Sequence, residues 1–178
     1  MFLAQLSDLH ILEPETDEEY YLDNNARLVT AVASLNAESP RPSAVVITGD
    51  LTSWGSQIEY EQLAERLAAL EILVLPVGGN HDDRDRMRAA FPTVDWVDAE
   101  HASWSVVVGG VRVIGLDSTI PGQAGGQFDD ERAEWLATEL TNSAEPTVLA
   151  MHHPPFNSGI DWMDDAGFEG LDLFVSVL

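Results

Sequence analysis

The run Ala44-Val45-Val46-Ile47-Thr48-Gly49-Asp50 decides the class of fold, because a continuous apolar segment leads directly into a glycine and a carboxylate. Near-continuous apolar runs are typical of strands covered on both faces, as in parallel sheets flanked by helices. Similar runs occupy residues 72–76 and 147–151, and residues 2–6 form a shorter candidate. The run at 44–48 is therefore predicted to be a central strand of a layered α/β domain.

Apolar residues at helical spacing occur in the segments between these predicted strands. Two amphipathic helices are predicted over residues 25–38 and 60–70, and Asp129 is predicted to cap a third, with Arg132 and Glu134 outside its apolar stripe. The order strand–helix–strand–helix–strand indicates an α/β layered fold.

A β-hairpin interrupts this alternation. Residues 103–108 and 111–116 are rich in β-branched residues and are joined by Gly109-Gly110, a strong two-residue hairpin signal. An antiparallel hairpin among parallel units predicts a mixed sheet or a second sheet.

Composition excludes several classes of protein. The 178 residues carry 31 acidic side chains against eight arginines and no lysine, a formal net charge of −23. Such a field repels nucleic-acid backbones and anionic membrane surfaces, so we expect no nucleic-acid polymer and no membrane as partner. The absence of cysteine excludes disulfides, thiolate metal sites and a cysteine nucleophile. Without a signal peptide or a long apolar run, we expect a soluble, cytoplasmic protein.

Polar residues follow each predicted strand, where ligands bind in open α/β sheets. They form Ser7-Asp8-Leu9-His10, Thr48-Gly49-Asp50-Leu51, Gly78-Gly79-Asn80-His81-Asp82-Asp83 and His152-His153-Pro154-Pro155. Four of the five histidines lie in these motifs, and only His101 lies outside them. An extended backbone would point Asp8 and His10 the same way and send Leu9 to the core.

The residue types favour a metal site. Glycines before Asp50 and Asn80 allow a sharp turn or a close approach, and Asn80 adds a neutral carbonyl oxygen. Oxygen and nitrogen ligands without sulfur suit Mn, Fe, Zn or Co. Taken singly, Asp8 could be a loop carboxylate, Asp50 a helix cap and His152 a core histidine. Their coincidence at successive strand ends favours a common site.

These motifs resemble, in order and spacing, those of the calcineurin-like metallophosphoesterases, and the resemblance runs over essentially the whole chain. The forms Gly79-Asn80-His81-Asp82 and His152-His153-Pro154-Pro155 look most like the class III cyclic-nucleotide phosphodiesterase and glycerophosphodiesterase branch. The resemblance implies an α/β/β/α sandwich with mixed sheets, in a single domain over residues 1–178.

The resemblance also implies a centre of two divalent or mixed-valence metal ions. Asp8 and His10 would hold the first ion, Asp50 would bridge both ions, and Asn80 and His152 would hold the second. Metal-activated water would then hydrolyse a small phosphodiester, such as a 3′,5′-cyclic nucleotide or a glycerophosphodiester.

Three neighbouring residues receive supporting roles from the same resemblance. His81, beside Asn80, would contact the phosphoryl group as a hydrogen-bond donor and candidate general acid. Asp82 would orient His81, and His153 would support the ligands from behind. Ser53 stands where purple acid phosphatases carry an iron-binding tyrosine, which disfavours that branch.

The family's last motif, Gly-His-x-His, is absent from these residues. We therefore expect a C-terminally incomplete domain with weak activity, and self-association into a homo-oligomer because Leu171, Phe174 and Val175 would be left uncovered. Substrate choice is expected to depend on loops, including the acidic loop 13–23 with Tyr20 and Tyr21. Two alternatives stay open, a non-catalytic metal-binding remnant of the fold and a phosphomonoesterase or pyrophosphatase of the same superfamily.

Overall fold

The computed structural model describes residues 2–17, 22–97 and 100–178. Its strands are β1 (Leu3–Leu6), β2 (Ala44–Thr48), β3 (Leu73–Val77), β4 (Trp104–Val108), β5 (Val111–Gly115), β6 (Gly126–Gln127), β7 (Thr147–Ala150) and β8 (Phe168–Glu169). Its helices are α1 (Asn24–Ala37), α2 (Gln57–Leu67), α3 (Arg84–Ala90), α4 (Asp130–Thr141), α5 (Asp161–Ala166) and α6 (Leu171–Val177).

The first sheet is parallel and has the order β1-β2-β3. Ala4 pairs with Val45, and Ile47 pairs with Pro76, so the three strands end at one edge of the sheet. Residues 44–47 of the central strand are buried, as the continuous apolar run predicts. All three predicted strands of this sheet are confirmed.

The second sheet contains the predicted hairpin. Strands β4 and β5 pair antiparallel around Gly109-Gly110, with Val108 opposite Val111, and β7 adds to β5 in parallel. A further short parallel pair joins β6 to β8. The prediction of a second, mixed sheet is therefore confirmed.

Three apolar clusters separate the layers. One lies between the first sheet and helices α1 to α3, and includes Leu28, Ile47, Leu63 and Met87. The second lies between the two sheets and includes Val46, Leu75, Trp104 and Val113. The third lies between the second sheet and helices α4 and α6, and includes Ile114, Leu136 and Phe174. This stacking gives the expected α/β/β/α sandwich.

Helix starts follow local capping chemistry. Asp129 caps α4 by accepting from the Arg132 amide, as predicted. Helix α2 begins earlier than predicted, because Ser56 and Glu59 form a capping box. The placement of Arg132 outside the apolar stripe is wrong, since its side chain is buried and its guanidinium donates to the carbonyl oxygen of Asp117.

The C-terminal segment forms helices α5 and α6, which the sequence reading did not predict. Phe174 is 5% exposed and packs edge-on against Phe128, so the expectation that it would be uncovered is wrong. Leu171 and Val175 are exposed, as expected. Within the described part of the chain, every helix is too short or too polar to cross a bilayer.

Candidate metal centre

The loops that follow β1 and β2 run side by side beyond the sheet. The Asp8 amide donates to the Gly49 carbonyl oxygen at 3.1 Å, and the His10 amide donates to the Asp50 carbonyl oxygen at 2.9 Å. These hydrogen bonds bring the residues after two adjacent strands to one edge of the sheet, as the strand-end motifs predict.

The backbone around Asp8 and His10 is not extended, contrary to the prediction. Asp8, His10 and Asp50 have φ angles of 54°, 43° and 50°, in the left-handed region. Each such non-glycine residue costs about 1–2 kcal/mol, and strained residues of this kind cluster at functional sites. Leu9 still packs against the core, as predicted.

Two glycines permit the close approach that the site requires. A Cβ on Gly49, whose φ is 96°, would lie 2.2 Å from Nδ1 of His152. A Cβ on Gly79 would lie 2.2 Å from Oδ1 of Asp50. The predicted need for glycine before Asp50 and before Asn80 is thus confirmed as a need for space.

The Asp50 carboxylate lies between two histidines. Its Oδ2 is 3.5 Å from Nε2 of His10, and its Oδ1 is 3.5 Å from Nε2 of His152. The backbone amide of His81 donates to Oδ1 at 3.1 Å. Asp50 is 5% exposed, and each of its two carboxylate oxygens faces a different histidine.

Two groups of possible ligand atoms share this carboxylate. One group is Asp8, Asp50 and His152, and the other is His10, Asp50 and His81, with the atoms of each within 4.8 Å of one another. The resemblance instead assigns His10 to the same ion as Asp8. In both assignments of ligands to the two ions, the Asp50 carboxylate is shared by the two groups.

Backbone carbonyl oxygens orient two of the imidazole rings. Nδ1 of His152 is 2.9 Å from the carbonyl oxygen of Thr48, and Nδ1 of His81 is 2.7 Å from that of Ser53. A protonated Nδ1 donating to a carbonyl leaves Nε2 as the nitrogen that faces the site. Nε2 of His152 also lies 3.3 Å from the amide oxygen of Asn80.

The donor set fits borderline divalent ions. Carboxylate oxygens, imidazole nitrogens and one amide oxygen converge, and the chain contains no thiolate. Such ligands suit Mn, Fe, Zn or Co. A cavity of about 450 Å³ opens above them, with all six predicted metal or catalytic residues in its lining: Asp8, His10, Asp50, Asn80, His81 and His152.

Comparison with known proteins identifies the family of the chain. The profile of the calcineurin-like phosphoesterases matches residues 1–176. The chain belongs to the calcineurin-like phosphoesterase family.

Relatives within this family are named phosphodiesterases. A "probable glycerophosphodiester phosphodiesterase GpdQ" of Arcobacter nitrofigilis is 32% identical over 92% of this chain and 61% of its own length. A "probable cyclic nucleotide phosphodiesterase" of Rhodococcus erythropolis is 38% identical over 86% of this chain and 52% of its own. The cyclic AMP phosphodiesterase CpdA of Pseudomonas aeruginosa is 32% identical over 94% and 60%. The chain thus spans about half to three fifths of the length of these curated relatives.

A solved structure shares the fold of this calcineurin-like domain. The purple acid phosphatase PPD1 of yellow lupin seeds superposes with a TM-score of 0.63 at 16% identity, over 93% of this chain and 32% of that one. The likeness supports the layered architecture.

Asp82 of the family motif does not orient His81. Its carboxylate accepts from the amides of Leu51 and Gly79 at 3.0 and 2.9 Å, and from the hydroxyl of Tyr60 at 2.9 Å. Burial raises the pKa of Asp82 above its usual value, because it outweighs the backbone hydrogen bonds from Gly79 and Leu51, which lower the pKa. Asp82 therefore ties the loop after β3 to the loop after β2, and Ser53 orients His81.

His153 lies behind the ligands, as the resemblance implies. Its ring packs edge-on against His152 with centroids 4.9 Å apart, and its Nδ1 is 2.8 Å from the hydroxyl of Ser118. Burial, with the neighbouring His152, lowers its pKa to about 4. A neutral His153 therefore supports the His152 ring at neutral pH.

The cavity also contains residues that the strand-end motifs did not identify. Phe156, Trp162 and Met163 line it beside the ligand residues. They follow the motif His152-His153-Pro154-Pro155, so proximity in sequence could have drawn attention to them. Tyr20 and Tyr21, expected to influence substrate choice, lie outside the described residues.

Proposed function

We propose that this protein hydrolyses small phosphodiesters at a binuclear metal centre built around Asp50. The observation that carries the proposal is the Asp50 carboxylate, whose two oxygens each lie 3.5 Å from a different histidine and which both groups of ligand atoms share. One carboxylate between two ligand groups is the arrangement that two-metal phosphoester hydrolysis uses. Relatives named for glycerophosphodiesters and cyclic nucleotides support these two substrate classes.

The chain supplies the ligands and their orientation. Asp8, His10, Asp50, Asn80 and His152 would hold the ions, which when bound supply an activated water and offset the negative charge of the diester. The carbonyl oxygen that fixes His152 keeps its Nε2 directed at the site. The left-handed backbone at Asp8 and His10 fixes the direction in which these two side chains leave the loop.

His81 is proposed to act on the substrate. Its Nδ1 is fixed by the carbonyl oxygen of Ser53, and its ring lies edge-on to that of His10 with centroids 4.9 Å apart. When protonated, Nε2 would donate to a phosphoryl oxygen or to the departing alkoxide, and stabilise the charge that develops there.

The test compares metal-reconstituted wild type with His81→Ala on bis-p-nitrophenyl phosphate. We expect near-normal metal content and a rate loss of roughly 10²–10⁴, the usual contribution of a positioned acid or base. Loss of metal in step with activity would instead make His81 a ligand.

The wild-type result separates the remaining alternatives. Turnover of the diester faster than that of p-nitrophenyl phosphate supports the proposal. Faster turnover of the monoester would indicate a phosphomonoesterase, and metal binding without turnover would indicate a non-catalytic remnant. Self-association through exposed Leu171 and Val175 and a cytoplasmic location stay predictions.

A further inference from the structure

We propose that Trp162, assisted by Phe156, forms an aromatic wall that binds a planar nucleobase and so selects nucleotide diesters over glycerol diesters. The aromatic wall is defined as these two side chains. This inference rests on the proposed function, since it names the substrate class of the same site.

The aromatic wall is exposed inside the catalytic cavity. Trp162 is 72% exposed and Phe156 is 67% exposed, and both line the cavity that holds Asp50 and both groups of ligand atoms. Large aromatic side chains exposed in a ligand cavity can bury apolar surface against a bound molecule. A diester whose phosphorus sits at Asp50 would carry its organic group into this space.

Hydrogen bonds hold the segment that carries the wall. The Asp164 carboxylate accepts from the amide and hydroxyl of Ser158 at 2.7 and 2.8 Å, and from the amide of Gly159 at 3.0 Å. These bonds join the turn before α5 to the helix itself. The hydrogen bonds from Ser158 lower the pKa of Asp164, so its charge is already engaged.

The same segment is fastened to the ligand side of the fold. The Gly126 amide donates to the Gly167 carbonyl oxygen at 3.1 Å, and β6 pairs with β8. A Cβ on Gly125 would lie 2.2 Å from the carbonyl oxygen of Ala166, and one on Gly126 would lie 2.6 Å from Cβ of His153. These contacts hold the segment that carries Trp162 beside His153.

The chemistry of the wall favours a nucleobase. A base offers a flat π-face that stacks on an aromatic side chain, whereas glycerol offers only hydroxyl groups and a short carbon chain. A quaternary ammonium group is also attracted to the face of a tryptophan, so the experiment includes glycerophosphocholine as a substrate that carries one.

The experiment compares Trp162→Ala, Trp162→Phe and Trp54→Ala in the full chain. Trp54 is a matched control, because it is 70% exposed and lines a neighbouring cavity but not the one that contains Asp50. The substrates are cyclic AMP, glycerophosphoethanolamine and glycerophosphocholine, and the binding probes are 5′-AMP and glycerol 3-phosphate.

We expect Trp162→Ala to raise KM for cyclic AMP roughly tenfold or more, with kcat within a few-fold, because base stacking on one aromatic side chain has about this effect on affinity. KM for both glycerophosphodiesters should stay within about twofold. Trp162→Phe should restore most of the cyclic AMP affinity, and Trp54→Ala should leave the ratio of the KM values unchanged.

Four outcomes would contradict the proposed role of the aromatic wall. In Trp162→Ala these are equal KM changes for nucleotide and glycerol substrates, a selective rise in KM for glycerophosphocholine, or a change in kcat alone. The fourth is the same change in selectivity in Trp54→Ala. If wild type hydrolyses no diester, the proposed function fails. The affinities for 5′-AMP and glycerol 3-phosphate then test the aromatic wall independently. A selective loss of 5′-AMP affinity in Trp162→Ala then supports the wall, and equal affinities overturn it.

Discussion

The residues that follow β2 and β5 include two buried aspartates, Asp50 and Asp117, whose carboxylates differ in how they are satisfied. Asp117 is fully buried and accepts from Nε of Arg84 at 2.6 Å and from the amides of Ala102 and Thr119, each at 2.8 Å. Asp50 accepts from one backbone amide, and both its oxygens face histidines at 3.5 Å.

The difference separates a structural carboxylate from a functional one. Burial raises the pKa of Asp117, but the charge of Arg84 and the hydrogen bond from Thr119 outweigh it, so the pKa lies below its usual value. The Asp117 charge is neutralised by Arg84 and hydrogen-bonded within the fold. Asp50 accepts one amide hydrogen bond and faces two imidazole nitrogens, so its carboxylate can still bind a cation or a further hydrogen-bond donor. Burial alone therefore does not distinguish the two aspartates, whereas the number of hydrogen bonds that each carboxylate accepts does.

Asp50→Ala is expected to have the largest effect on function. Because both ligand groups share this carboxylate, the variant should lose both metals and fall to the diesterase rate of metal-free protein. Elemental analysis together with bis-p-nitrophenyl phosphate hydrolysis checks this. Two metals bound at wild-type affinity would contradict the bridging role.

Asp117→Ala should instead reduce stability. Removing one partner leaves Arg84 as an uncompensated, largely buried charge, which costs about 3 kcal/mol in the free energy of unfolding. Urea denaturation measures the loss, and the folded fraction should retain the metal stoichiometry of wild type. A normal unfolding free energy with lost metal would reverse the assignment of the two aspartates.

Gly79→Ala tests whether the space beside Asp50 is required. The added Cβ would lie 2.2 Å from Oδ1 and 2.3 Å from the backbone nitrogen of Asp50, so the whole residue must move, and we expect a rate loss on the order of 10²-fold. Gly78→Ala is the matched control, because its Cβ would meet only the flexible end of Met87, at 3.2 Å. Metal titrations and rates should separate the two variants, and equal behaviour would refute the steric argument.

The smallest expected effect is on the pH dependence of stability near Asp117. Burial, with the charge of Arg132, lowers the pKa of His101 below 6.5. The unfolded chain therefore binds a proton that the folded protein excludes as pH falls below about 6.5, and stability decreases by up to about 1.4 kcal/mol per pH unit.

His101→Gln removes this contribution. Its unfolding free energy, measured by urea denaturation from pH 7 to 5, should fall less steeply than that of wild type, whatever its absolute value. Parallel pH profiles for the two proteins would show that His101 takes up its proton equally in the folded and unfolded states.

Local sequence patterns predict the six longer strands, the hairpin and the strand-end motifs, but not the short strands β6 and β8. Residues 44–48 form a central strand because a continuous apolar run is satisfied only when both faces are covered. Asp129 caps α4 because its side chain reaches an amide three residues away, a contact within one turn. The need for glycine before Asp50 could likewise be predicted from the motif, and the structure shows that a Cβ there would clash with His152.

Contacts between distant segments determine how the site residues are held. The left-handed backbone at Asp8 follows from pairing with Gly49, and Nδ1 of His152 is fixed by a carbonyl oxygen 104 residues earlier. Asp82 contacts Tyr60 rather than His81, and Trp162 lines the same cavity as residues that precede it by more than 100 positions. Each of these features depends on segments that are distant in sequence. Local patterns record which side chains are present, and long-range packing decides which atoms they meet.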